Sequence, residues 1–262
     1  MDKAKKPQFK KIRELLKERS FRDKEGLFVA EGGKIVLDAI LKQRKLVSVF
    51  ISSRVVGAPA AREITMLCQR DNIEIWRVPA VEFEKLSSLN NSQGILALIK
   101  KPVWKELEQE NLSVLCDGVQ DPGNLGAIIR TSRAFGVSRV LLFGSTVDIF
   151  NPKVVRSSSG TVMDIPVIPI SIREIDELRS RGYYILAGSS PKPGAKEMNS
   201  VKLKKGPCIL AFGSEGRGLS ADIIKRADTV FFIPIDPLAE SLNVTAAAAI
   251  STHYFSQERG GL

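Results

Sequence analysis

CILAFGSEGRGLS, residues 208–220, runs an unbroken apolar segment into a loop carrying Gly213, Gly216 and Gly218, and the pattern predicts a helix starting near Ser220. Apolar residues that do not alternate with polar ones point to a strand buried on both faces, as in a parallel sheet covered by helices. Glycines at such a strand end let a ligand approach the backbone closely, and a following helix offers free N–H groups. The spacing is GxxGxG, not the GxGxxG of dinucleotide folds, and no Lys-Ser/Thr follows as in a phosphate-binding P-loop. Glu215 inside the loop would repel a pyrophosphate. It suits a ligand with positive charge or hydrogen-bond donors.

The same strand–helix alternation extends both ways. Strands are expected at 112–118, 139–143, 183–188 and 229–235, with helices at 125–135, 172–181, 220–226 and 242–257. The fold class is α/β, with a mostly parallel sheet over residues 105–262. Upstream, helices at 34–42, 60–70 and 81–88 alternate with strands at 47–51, 73–78 and 94–100, giving a smaller α/β unit over 27–104. Residues 101–111 read as a linker or bridging helix. The first 26 residues hold ten Lys/Arg and five Asp/Glu around Ile12, Leu15 and Leu16, a basic helical arm that is either solvated or RNA-contacting.

Of 262 residues, 39 are Lys or Arg and 29 Asp or Glu, a formal net charge of +10 that suits a polyanionic partner. The single histidine, His253, leaves no pair of imidazole ligands and removes the commoner histidine-based mechanisms. Cys68, Cys116 and Cys208 are widely spaced in apolar settings and read as buried thiols. No metal site is expected. No apolar run approaches the ~18–20 residues that span a bilayer, and the basic start lacks the apolar core of a secretory signal, so a cytoplasmic location is expected.

Two further segments carry chemistry. In DGVQDPGNLGAIIRTSRAFGV (117–137), Asp121-Pro122-Gly123-Asn124 is a tight turn into a helix, with Asn124 placed to cap it. Leu125, Ile128 and Ile129 form the buried stripe, and Arg130 falls off that stripe. In FFIPIDPLAESLNVTAAAAIS (231–251), a strand ends near Pro234 and Ser241 is the expected cap of a small-residue helix.

Taken together, NxGxxxRT (124–131), FGSEGxGL (212–219) and IPI…SLNVTxAAAI (233–250) resemble, in order, the three blocks of the SpoU (TrmH-type) RNA ribose 2′-O-methyltransferases. FVAEGGKIVLDAI (28–40) and NSQGILALI (91–99) resemble the start and end of the RNA substrate-binding module that often precedes that catalytic domain.

The resemblance implies a deep trefoil knot, an exception to the rule against threaded chains. It implies S-adenosylmethionine as methyl donor with no metal, held by Gly213, Ile233 and Leu242 with Leu210, Phe212 and Ile235 nearby. Ser189 and Ser190 are added to that pocket. Arg130, Asn124, Ser241, Asn243 and Glu215 match the catalytic set, with Arg130 holding the ribose-phosphate. The family's proposal that this arginine also acts as base sits poorly with a pKa above ~12. Arg22, Lys34, Arg133, Lys153 and Arg156 are candidate RNA contacts. A homodimer is implied, with Arg130 serving a site completed by the second chain. The substrate-binding module favours rRNA over tRNA. A tRNA enzyme and a non-catalytic ribosome-associated RNA-binding protein are the alternatives, and the intact catalytic set speaks against the latter.

Overall fold

The computed structural model describes residues 2–3, 6–87, 89, 91–104 and 111–259. Most of the expected 101–111 linker, residues 105–110, lies outside the described residues. The chain divides into two compact units, residues 1–103 with 150–163, and residues 104–149 with 164–262.

The first unit runs β1 (Asp2–Lys3), α1 (Lys6–Lys17), α2 (Arg19–Glu25), β2 (Leu27–Glu31), α3 (Gly33–Leu41), β3 (Leu46–Ser52), α4 (Pro59–Arg70), β4 (Glu74–Val78), α5 (Ala80–Leu86) and β5 (Ile95–Lys100). Its sheet has the order β1-β4-β3-β5-β2, with β5 antiparallel to both neighbours and the other pairs parallel. Residues 1–26 are expected to form a separate arm, and the structure corrects this. Ile12 and Leu15 of α1 are fully buried in a cluster with Leu27, Phe50, Phe83 and Leu96, and Phe9, Leu16 and Phe21 pack against it. A stripe of that size is too costly to leave in water, at about 25 cal/mol per Å² of apolar surface.

Arg22 is corrected for the same reason. It is 2% exposed, and its Nη1 donates to the Leu15 carbonyl at 2.6 Å, tying α2 to α1. A guanidinium committed inside the fold cannot also reach an RNA phosphate. Arg22→Ala should therefore lower stability by about 2–4 kcal/mol, because a buried acceptor loses its charged donor. A drop of several degrees in the thermal midpoint, with RNA affinity of the folded fraction unchanged, is the expected result.

The second unit runs β6 (Leu112–Asp117), α6 (Pro122–Ala134) and β7 (Arg139–Phe143). The chain then enters the segment 150–163 of the first unit, containing α7 (Pro152–Ser157), which the sequence reading did not anticipate. There Phe150 stacks on Phe28 at 4.7 Å between ring centres, α7 packs on β2, and Gly160 lies against Ile35. The second unit resumes with β8 (Val167–Pro169), α8 (Ile172–Ser180), β9 (Tyr184–Gly188), β10 (Lys196–Glu197), β11 (Cys208–Gly213), α9 (Ala221–Arg226), β12 (Thr229–Phe232) and α10 (Val244–Gln257).

Its sheet has the order β10-β12-β9-β11-β6-β7-β8, and every recorded pairing is parallel. The absence of alternation in β6 and β11 has its counterpart in burial on both faces. Leu115, Leu141, Ile185 and Ile209 meet Ile175 and Leu178 of α8 and Ile223 of α9 in one cluster. Phe231 meets Phe255 of α10 edge-on at 5.3 Å, and α10 packs on α6 and β11. The three cysteines are buried thiols, and apolar burial pushes Cys116 and Cys208 each up to about 12. No helix among the described residues is long and apolar enough to cross a membrane, and no group of three or more metal-ligating side chains is found there.

Candidate functional site

In a parallel sheet the strand ends and the loops leaving them share one edge, which is where open α/β folds bind ligands. Here that edge, within the second unit, carries two adjoining cavities. The first, of about 380 Å³, is lined by Gly188, Phe212, Gly213, Ile233, Ile235 and Leu242 among others. The second, of about 530 Å³, is lined by Asp117, Gln120, Asn124, Gly144 and Ser145. Ser214, Glu215, Arg217, Gly218 and Val244 line both, so the glycine loop after β11 is their common wall.

That loop is fixed by close backbone contact. Ser214 and Gly218 form an antiparallel bridge, and the Gly218 N–H donates to the Ser214 carbonyl at 2.8 Å. Gly218 has φ +66°, a conformation that favours glycine. Asp117, at the end of β6 and 6% exposed, accepts from the Ser220 N–H at 2.7 Å and holds the loop's far end.

The three segments meet at Glu215. Its Oε1 accepts from Asn124 Nδ2 at 3.0 Å and also from Asn243 Nδ2. Asn243 Nδ2 lies 3.5 Å from Asn124 Oδ1 as well. Both amides are oriented by helix starts. Asp121 caps α6 by accepting from the Asn124 N–H at 2.8 Å, and Asn243 caps α10 by accepting from the Thr245 N–H at 2.8 Å. These caps correct the sequence expectation, which placed Asn124 and Ser241 in those roles. Pro122 occupies the first turn of α6, so the helix begins before Leu125, with Asp121 ahead of it. Asn124 is thereby left free to turn its amide to Glu215. Glu215 lines both cavities, and no hydrogen bond to its Oε2 is found among the described residues.

Of the other expected donor-pocket residues, Gly213, Phe212, Ile233, Ile235, Leu242, Ser189 and Ser190 line the first cavity, as does Ser241. Leu210 does not. It shares a face of β11 with Phe212 but lies two residues deeper, fully buried, so it supports the pocket without lining it. Arg130 is exposed on α6, six residues past Asn124, and lines neither cavity of its own chain. Six residues of helix are about 9 Å of rise. Arg133 is exposed on the same helix, whereas Lys34 on α3, Lys153 on α7 and the half-buried Arg156 belong to the first unit.

The sequence reading missed Asp117, Gln120, Gly144 and Ser145 of the second cavity. The signal was available, because Gly144-Ser145 follows β7 at the strand end where such folds bind ligands. It also missed Ser251, which is fully buried on α10, lines the first cavity and has no hydrogen-bond partner for its hydroxyl among the described residues. The first cavity thus combines aromatic and aliphatic walls, two carboxylates (Glu215 and Glu240), and an unsatisfied hydroxyl. Such a set fits a ligand with a heteroaromatic ring and a positive charge.

Comparison with known proteins gives a consistent picture. The profile of the SpoU rRNA Methylase family matches residues 111–253, and that of the MRM3-like substrate binding domain matches residues 6–97. The 23S rRNA (guanosine(2553)-2′-O)-methyltransferase RlmP of Bacillus subtilis is 31% identical over 89% of this chain and 90% of its own length. The mitochondrial rRNA methyltransferase 3A of Danio rerio is 25% identical over 92% of this chain and 66% of its own. Among solved structures, the AdoMet-bound rRNA methyltransferase from Sinorhizobium meliloti superposes with a TM-score of 0.83 at 27% identity, covering 99% of this chain and 97% of that one.

Proposed function

The chain belongs to the SpoU rRNA methylase family, and from that premise we propose how its residues transfer a methyl group from S-adenosylmethionine to a ribose 2′-hydroxyl of rRNA. The observation that carries the reading is the junction of Asn124, Glu215 and Asn243 on the wall between two cavities. One cavity takes the methyl donor and the other the target nucleotide, so the transfer crosses that wall. When bound, the sulfonium supplies a methyl carbon that needs no metal to make it electrophilic.

The protein's work is then mostly alignment, since the hydroxyl oxygen, methyl carbon and sulfur must lie in line. Phe212, Ile233 and Leu242 enclose the adenosyl portion, and the glycine loop sets the position of the reacting end. Glu215 is held in one rotamer by two amides, which leaves its free oxygen to accept from the ribose hydroxyl and orient it. Arg130 holds the ribose-phosphate of a site in a second copy of the chain, which accounts for its absence from both cavities of its own chain. As the new carbon–oxygen bond forms and the carbon–sulfur bond breaks, the hydroxyl proton leaves to a base in the assembled site.

The first unit is read as the part that holds rRNA, using Lys34, Lys153 and Arg156. The expected domain limits, 27–104 and 105–262, are proposed with two changes, the N-terminal helices and the segment 150–163 both joining the first unit. A homodimer and a cytoplasmic location complete the reading. The trefoil knot is proposed from the family membership of residues 111–253.

Two measurements test the function. Calorimetric titration with S-adenosylmethionine should show saturable binding at one site per chain. Mapping of ribose methylation across total RNA from cells with and without the gene should show a 2′-O-methyl lost at one rRNA position. Loss at a tRNA position would move the substrate, and binding without any lost methyl would favour the RNA-binding alternative.

A further inference from the structure

Arg217 stands at the x of the FGSEGxGL block, and nothing in that pattern assigns it a role. Among the described residues it is the only Lys or Arg that lines either cavity, and it lines both. Around it the cavity linings are acidic, with Glu215 and Glu240 in the first and Asp117, Asp121 and Glu215 in the second. Yet its guanidinium makes no ion pair or hydrogen bond within the described residues. Of these carboxylates, Glu215 takes two amides through Oε1, Asp117 the Ser220 N–H and Asp121 the Asn124 N–H. Arg217 is exposed and sits between Gly216 and Gly218, in a loop pinned by the Ser214–Gly218 bridge.

A cation unpaired among the described residues, in a cavity lining that is otherwise acidic, is an anion receptor. We propose that Arg217 is a positioning residue that takes the phosphodiester next to the target ribose, and so seats the 2′-hydroxyl at Glu215. This rests on the methyltransferase reading above. The phosphodiester is favoured over the other available anion, the carboxylate of the methyl donor, by the second cavity. A polyanion entering past Asp117, Asp121 and Glu215 meets repulsion that only Arg217 among the lining residues offsets.

The test uses the full chain, S-adenosylmethionine, and unmodified rRNA transcripts over a range of salt. Arg217→Gln should weaken RNA binding roughly tenfold and reduce the slope of log affinity against log salt by about one, as loss of one phosphate contact does. Its affinity for S-adenosylmethionine should stay within about twofold, and Arg217→Lys should recover most of the salt slope but less of the turnover. A tenfold loss of S-adenosylmethionine affinity with RNA binding intact would assign the residue to the donor carboxylate and overturn the proposal. An unchanged salt slope would overturn it too. Failure of the unsubstituted protein to bind S-adenosylmethionine would instead sink the function itself.

Discussion

Replacing Gly213 by alanine should weaken binding of the methyl donor at least about a hundredfold and destabilise the second unit by about 3 kcal/mol or more. A Cβ on Gly213 would lie under 3.0 Å from the carbonyl carbon and oxygen of Gly218 and from the N of Leu219, all of them backbone. No side-chain rotation relieves such a clash. Either the Ser214–Gly218 bridge opens or the end of β11 moves away from its neighbour β6. The glycine loop carries Glu215 and forms the wall of both cavities, so either response displaces the site. Overpacking ordinarily costs ~1–3 kcal/mol, and a clash against backbone belongs at or above the top of that range. Calorimetry should find S-adenosylmethionine affinity reduced at least about a hundredfold, as a loss of ~3 kcal/mol implies. Gly216→Ala is the control. A Cβ there meets nothing within 4 Å, so the same methyl group three residues along the loop should be tolerated. Equal donor affinity in Gly213→Ala and the unsubstituted protein would show that the loop is not fixed as described.

The contrast between these two glycines marks what the sequence can disclose. That residues 208–220 form a strand, a glycine loop and a helix follows from local pattern. Which glycine is crowded depends on Gly218 folding back over Gly213. The same limit explains the other differences. β6 and β11 are legible because burial on both faces leaves an unbroken apolar run, a local property of the chain. The three-residue strand β8 lies in the apolar stretch IPVIPI (165–170), whose prolines argue against a strand, and the segment 150–163 has no apolar run. Asn151-Pro152 was nevertheless a readable helix start, since Asn151 caps α7 by accepting from the Lys153 N–H at 2.9 Å. What no pattern reveals is that this segment belongs with the first unit, where Phe150 stacks on Phe28. Arg22 likewise looks like any other residue in a basic stretch. Its charge is spent internally only because α2 folds back on α1, bringing the Leu15 carbonyl within reach.

The site was legible to a different degree. Asn124, Glu215 and Asn243 are separated by 91 and 28 residues, and periodicity cannot bring them together. The motif resemblance named them, and the structure supplies the physical reason they cluster. Two helix starts and one glycine loop converge at the same edge of the sheet. Their caps leave the Asn124 and Asn243 side-chain amides directed at one carboxylate oxygen.

Arg130 is the exception, and it gives the most discriminating result. Arg130→Ala and Glu215→Ala should each reduce turnover by roughly a hundredfold or more, since each removes a charged group placed at the developing transition state. Both variants should fold, because both side chains are exposed. Mixing the two inactive proteins in equal amounts and allowing subunits to exchange then separates the possible arrangements. If Arg130 acts across a two-fold interface, each mixed dimer holds one site with an intact Glu215 from one chain and an intact Arg130 from the other. Random exchange makes half the dimers mixed, so activity should recover to about a quarter of the unsubstituted level. If Arg130 served its own chain, every site in the mixture would lack one group and no activity would return. Recovery would therefore establish both the dimer and the direction in which the arginine is donated. Its absence, with exchange verified by mass, would require α6 to bring Arg130 to Glu215 within one chain, against the placement seen here.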